Sequence, residues 1–135
     1  MGLVKRLIGY VIRWGANCDL SKKIVNRLNK AFNSYVQAYG AWQLRFLTPY
    51  FSRPCIQMLA PSIYNEDRFF ASDKFRKVDW ELVQVEGSYI IVRQCIEFDK
   101  IRTSGFKISI ANSYGEEWIY NERTRLIEKV GRAKC

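Results

Sequence analysis

Few residues in this chain are of a type and spacing that could do chemistry. There is no histidine, and the four cysteines, Cys18, Cys55, Cys95 and Cys135, stand 37 to 40 residues apart with no CxxC pair. A metal site needs clustered ligands, so this spacing argues for reduced thiols, with Cys95 expected to be buried on a sheet. The carboxylates that fall in strand-like sequence and could serve as a general base are Asp79, Glu81 and Glu97. Asp79 and Glu81 alternate with Trp80, so they face outward if Trp80 is buried, and no imidazole is present to work with them. No catalytic constellation emerges, no cofactor is implied, and an enzyme is the weakest of three readings.

The chemistry that does stand out is cationic. Residues 1–60 carry nine Lys and Arg against the single acid Asp19, while residues 61–135 carry thirteen against twelve. Lys22, Lys23, Arg27 and Lys30 lie within one helical stretch and fall largely outside its apolar stripe. Such a group is either a solvated face or a contact for RNA phosphate, and so few acids dilute it that nucleic acid or anionic lipid is the expected partner.

A second basic element precedes it. At about 100° per residue, residues 3–14 form an amphipathic helix in which Lys5, Arg6, Gly9 and Arg13 share a sector. Leu3, Val4, Leu7, Ile8, Tyr10, Val11 and Trp14 fill the rest. Three fates fit this arm: packing on the core, lying in a membrane interface or partner groove through Leu3, Lys5, Arg6, Leu7, Val11, Arg13 and Trp14, or mitochondrial targeting. The Met-Gly start does not make a myristoylation signal, because position 6 is Arg6 rather than Ser or Thr.

These residues must be positioned by one domain. The chain of 135 residues is 48% hydrophobic and 15% aromatic, too apolar for intrinsic disorder, and it has no uncharged apolar run long enough to span a bilayer. We expect an amphipathic arm at residues 1–16 and a single α+β domain at 17–135, with N-terminal helices packed on a curved antiparallel sheet. Asp19 or Ser21 can cap a helix whose stripe is Ile24, Leu28, Ala31, Phe32, Tyr35 and Tyr39, with Gly40 breaking the pattern. A shorter helical piece follows at 42–50, bending at Pro49. Pro54 and Pro61 bracket a short helix at 55–59, and a polar link pinned by Phe69-Phe70 leads to the sheet.

The sheet opens with a hairpin turning at Glu86-Gly87-Ser88. A second turn is expected at Thr103-Ser104-Gly105, then a strand at 106–111, a piece around Trp118 and Tyr120, and a last strand at 126–130. Val78, Trp80 and Leu82 share a face, but Val83 and Val85 take over the opposite parity, which a β-bulge at Leu82-Val83 explains. Trp80 should be core, and Ile90, Val92, Ile96, Phe98, Phe106, Ile108 and Ile110 should form the concave or helix-covered face.

This layout is similar to the nuclear transport factor two-like cone. Within it, Ala38-Tyr39, Leu47-Thr48-Pro49-Tyr50-Phe51-Ser52-Arg53-Pro54-Cys55, Val78-Asp79-Trp80 and Ile91-Val92-Arg93 occur in an order that resembles the Tim-forty-four-like family, nearest to its ribosomal branch. Phe106-Lys107-Ile108-Ser109-Ile110, Trp118-Ile119-Tyr120-Asn121-Glu122-Arg123 and Arg125-Leu126-Ile127 continue the likeness, which spans about residues 22–131. The resemblance implies a non-catalytic component of the mitochondrial large ribosomal subunit near its exit region, on the matrix side of the inner membrane. Its partners would be ribosomal RNA, neighbouring ribosomal proteins and anionic inner-membrane lipid. The alternative is an accessory subunit of an inner-membrane respiratory or import complex. The family's pattern continues into a further strand and begins with a long basic extension, neither of which is present here. An open sheet edge at 125–130, filled by a partner's strand, is therefore expected.

Overall fold

The computed structural model describes residues 20–65, 74–101 and 108–132. The arm at 1–16, Asp19, the link at 66–73, the turn Thr103-Ser104-Gly105 and Phe106 lie outside the described residues. Helix α1 (Lys22–Ala41) begins where Ser21, in extended backbone, accepts a hydrogen bond from Ile24 N at 3.2 Å. Its apolar stripe buries Leu28, Ala31, Phe32, Tyr35, Ala38 and Tyr39, and Ile24 packs against the edge of the same core.

Two helix ends differ from expectation. Gly40 does not stop α1; the helix runs on to Ala41, and Trp42 takes the left-handed terminating position at φ 54°, ψ 43°. Gln43 N closes the end on Ala38 O at 3.1 Å, a hydrogen bond that satisfies a helix-end carbonyl whichever residue turns left-handed. A tryptophan there costs roughly 1–2 kcal/mol relative to glycine. After a 3₁₀ turn at Leu44–Leu47, helix α2 covers Arg53–Asn65 rather than 55–59, with Pro61 inside it. Ser52 Oγ caps its start by accepting from Cys55 N at 3.3 Å. A proline deep in a helix sacrifices a backbone hydrogen bond at a cost near 3 kcal/mol, yet burying Leu59 and Ile63 on either side of Pro61 keeps this helix going.

The sheet is a four-stranded antiparallel meander of β1 (Lys74–Glu86), β2 (Tyr89–Ile101), β3 (Ile108–Asn121) and β4 (Leu126–Arg132), in that order across the sheet. Gly87, at φ 61°, supplies the positive backbone angle that the two-residue turn between β1 and β2 requires. The β1–β2 register slips between Leu82 and Gln84, leaving Val83 as the bulged residue where the apolar parity switches. β3 is one continuous strand rather than two pieces. Arg93 faces Glu117 and Cys95 faces Tyr114, so Gly115 and Glu116 together oppose Gln94 in a bulge.

Within the stretch 125–130 expected to form an open edge, β4 is bridged at Ile127. Ile127 N donates to Tyr50 O at 2.8 Å and Ser52 N donates to Ile127 O at 2.9 Å, an isolated parallel bridge that pairs Phe51, before α2, with Ile127. The helices cover the sheet face that bears Trp80, Ile90, Val92, Ile96, Trp118, Tyr120 and Ile127, all buried. Trp118 is the hub of this core, with ring centroids 5.1 Å from Trp80, 5.3 Å from Tyr35 and 5.4 Å from Phe51. This arrangement of two helices against one antiparallel sheet is an α+β fold.

Candidate nucleic-acid interface

The side of α1 turned away from the core presents Lys22, Lys23, Asn26, Lys30, Asn33 and Gln37, all exposed. Steps of three and four residues put them in one row. Lysine ammonium groups and amide side chains in such a row can donate to phosphate oxygens. The neighbourhood reinforces it: residues 20–65 contain six Lys and Arg and not one Asp or Glu, whereas the described strands and turns, 74–101 and 108–132, contain nine of each. The helical layer is therefore cationic and the sheet layer is balanced.

Arg27 does not belong to that row. Its Nη2 donates to Pro49 O at 2.8 Å and its Nε to Arg125 O at 3.1 Å, while its guanidinium carbon lies 4.5 Å from the centre of the Tyr50 ring. It fastens α1 to the chain before α2 and to the turn between β3 and β4. That turn is held by Asn121, whose Oδ1 accepts from Arg123 N at 3.0 Å, and Arg125 occupies its left-handed position at φ 63°. Of the four cations singled out from sequence, Lys22, Lys23 and Lys30 share the exposed row and Arg27 serves the fold. Charge alone cannot reveal this, because the acceptors are backbone carbonyls distant in sequence.

Arg45 and Arg53 are two exposed cations of the same layer. The Arg45 guanidinium lies over the Phe46 ring, 4.5 Å from its centre. The arm residues Leu3, Lys5, Arg6, Leu7, Val11, Arg13 and Trp14 lie outside the described residues.

None of the three carboxylates singled out from sequence is fully buried. Asp79 pairs with Lys77 at 3.3 Å and Glu81 with Arg93 at 3.6 Å, both partly exposed on the outer face, and Glu97 is half-buried. Among the described residues the buried carboxylate is Glu116, which is not among the three singled out from sequence. Glu116 is 7% exposed, and the Tyr35 hydroxyl donates to its carboxylate, 2.9 Å from Oε2 and 3.1 Å from Oε1. Its own N–H donates to Gln94 Oε1 at 3.2 Å. The result is a polar tie between α1 and the sheet beneath it.

Among the described residues no group of His, Cys, Asp and Glu could hold a metal ion. Cys95 is half-buried rather than buried, and Cys55 is the enclosed thiol. Burial, then the Glu128 carboxylate, pushes the Cys55 thiol up to about 12. Burial, followed by Asp79, Glu81 and Glu97, also raises that of Cys95. Both stay protonated at neutral pH, the opposite of an activated nucleophile. No described helix is long and apolar enough to cross a membrane. Comparison with protein-family models, with curated proteins and with solved structures found no match to this chain.

Proposed function

We propose that this is a non-catalytic structural protein that docks its helical layer on the phosphate backbone of ribosomal RNA. The observation that carries the reading is the segregation of charge: Lys22, Lys23 and Lys30 stand exposed in one row of a helical layer that has no acid at all. Neutralising phosphates releases condensed counterions, so a surface of this kind gains affinity without any base contact. The residue order that resembles the Tim-forty-four-like family directs the reading to the mitochondrial large ribosomal subunit, with the two-layer domain as a cone of the nuclear transport factor two-like kind. In that setting the arm at 1–16 would meet anionic inner-membrane lipid or a neighbouring ribosomal protein. A second reading, an accessory subunit of an inner-membrane complex, is favoured by Met58 and Tyr64, which stand exposed on α2 and would suit a protein neighbour.

RNA contact separates the two. Replacing Lys22, Lys23 and Lys30 together with Gln should weaken RNA binding alike for all sequences. It should also reduce the log–log salt dependence by about 2–3, since each phosphate contact contributes roughly 0.7–0.9. Arg27→Gln should behave differently, lowering the melting temperature through loss of its carbonyl and ring contacts, worth about 1 kcal/mol in this partly exposed setting. Anisotropy titrations with labelled RNA at several salt concentrations are the measurement. An unchanged affinity and slope in the triple variant would remove the phosphate-docking reading in favour of the accessory subunit.

A further inference from the structure

We infer that Trp42 is a stacking platform for an unpaired base of the RNA held by α1, an inference that rests on the phosphate-docking reading. Two of the four tryptophans, Trp80 and Trp118, are fully buried, whereas the Trp42 side chain is 58% exposed. It is exposed at a place where sterics disfavour it. With φ 54° it occupies the left-handed helix-terminating position that glycine fills without strain, and a bulky residue there is an outlier that burial does not explain. A glycine stands only two positions earlier, at Gly40, inside the helix where none is required. An outlier held by an otherwise ordinary helix end is where function is to be sought.

The surroundings identify the ligand. Trp42 follows directly on the exposed row of α1, about 18 Å beyond Lys30 at the helical rise. Between them Gly40 and Ala41 are exposed and carry almost no side chain, and nothing lies within 4 Å of where a Cβ on Gly40 would be. The surface just before Trp42 is thus free of bulky side chains at these two positions. Arg45, three residues on in sequence, is an exposed cation whose guanidinium lies over the Phe46 ring. The backbone at Trp42 is held by the Gln43 N to Ala38 O hydrogen bond. An aromatic plane at the end of a cationic row matches single-stranded nucleic acid, in which phosphates engage the cations and an unstacked base meets the ring.

The test compares the full chain with Trp42→Gly. Glycine suits the left-handed position, so the variant keeps or raises the melting temperature, and any loss of binding is not a loss of folding. Binding to a fluorescein-labelled oligouridine of twelve nucleotides should weaken roughly 5- to 150-fold, the size of one stacked base. Binding to a blunt RNA duplex of equal length should change less than twofold, and Trp42→Phe should retain most of the single-strand affinity. In a Trp14→Phe background, the oligouridine should quench the fluorescence of Trp42, since Trp80 and Trp118 are enclosed. The stacking role is overturned if Trp42→Gly binds the single strand as the parent does, or if single strand and duplex lose affinity equally. If the parent chain binds neither RNA, the phosphate-docking reading fails and the stacking role falls with it. If the triple lysine variant loses binding while Trp42→Gly does not, only the stacking role fails.

Discussion

Trp80→Ala should destabilise the protein by about 3–5 kcal/mol, a large part of the roughly 5–15 kcal/mol that holds a domain of this size together. The indole is fully buried, its ring centre 5.1 Å from that of Trp118 and 6.5 Å from that of Phe32, so its removal opens a hole between α1 and the sheet. The loss is polar as well, because Trp80 Nε1 donates to Asn29 Oδ1 at 2.8 Å and ties the middle of α1 to β1. Trp80→Phe keeps much of the volume but not that hydrogen bond, and should fall between the parent and the alanine variant. Urea unfolding followed by circular dichroism measures all three. A Trp80→Ala midpoint equivalent to less than 1 kcal/mol would contradict the helix-on-sheet packing described above.

Gly115→Ala should cost about 1–3 kcal/mol, unusual for the addition of one methyl group to a strand. A Cβ at this position would overlap Gln94 Oε1 and lie 2.9 Å from Gln94 Cβ and 3.1 Å from its Cδ. Gln94 cannot simply swing away, since it is buried at 1% exposure and accepts the hydrogen bond from Glu116 N. Shifting it would leave the Glu116 N–H enclosed without that acceptor. The two positions are therefore coupled: Gly115→Ala combined with Gln94→Ala should be less destabilised than the two single effects added together. Additive effects in a urea double-mutant cycle would show that Gln94 does not sit across the bulge from Gly115.

Features that repeat along the sequence were legible. The spacing of Leu28, Ala31, Phe32, Tyr35 and Tyr39 marks the buried stripe of α1, and the parity switch after Leu82 marks the bulge in β1, because each is a local pattern with one physical cause. The lysine row was legible for the same reason. Features that depend on a partner far away were not. The burial of Glu116 depends on the bulge that sets Gly115 and Glu116 opposite Gln94, and nothing in the local sequence marks that register. Arg27 looks like its lysine neighbours until Pro49 O and Arg125 O are in place. Pro61 reads as a helix stop, since the burial of Leu59 and Ile63 that outweighs it depends on the core they enter.

The bridge between Phe51 and Ile127 bears on the order in which the protein can form. Together with the Arg27 to Arg125 hydrogen bond, which joins residues 98 apart in sequence, it means that the first helix and the chain before the second are finished by the last strand. Closing loops of that length before their contacts form is entropically costly and slows folding. A chain growing from its N-terminus would thus expose the apolar stripe of α1 until the sheet beneath it and β4 have been made. A chain ending at residue 125 should melt without a cooperative transition and bind a hydrophobic dye; a sharp melt would show that the helical layer closes without its final strand. The helices precede the sheet in the chain yet close against β4, so a nascent chain is expected to need another surface over the α1 stripe until β4 has been made.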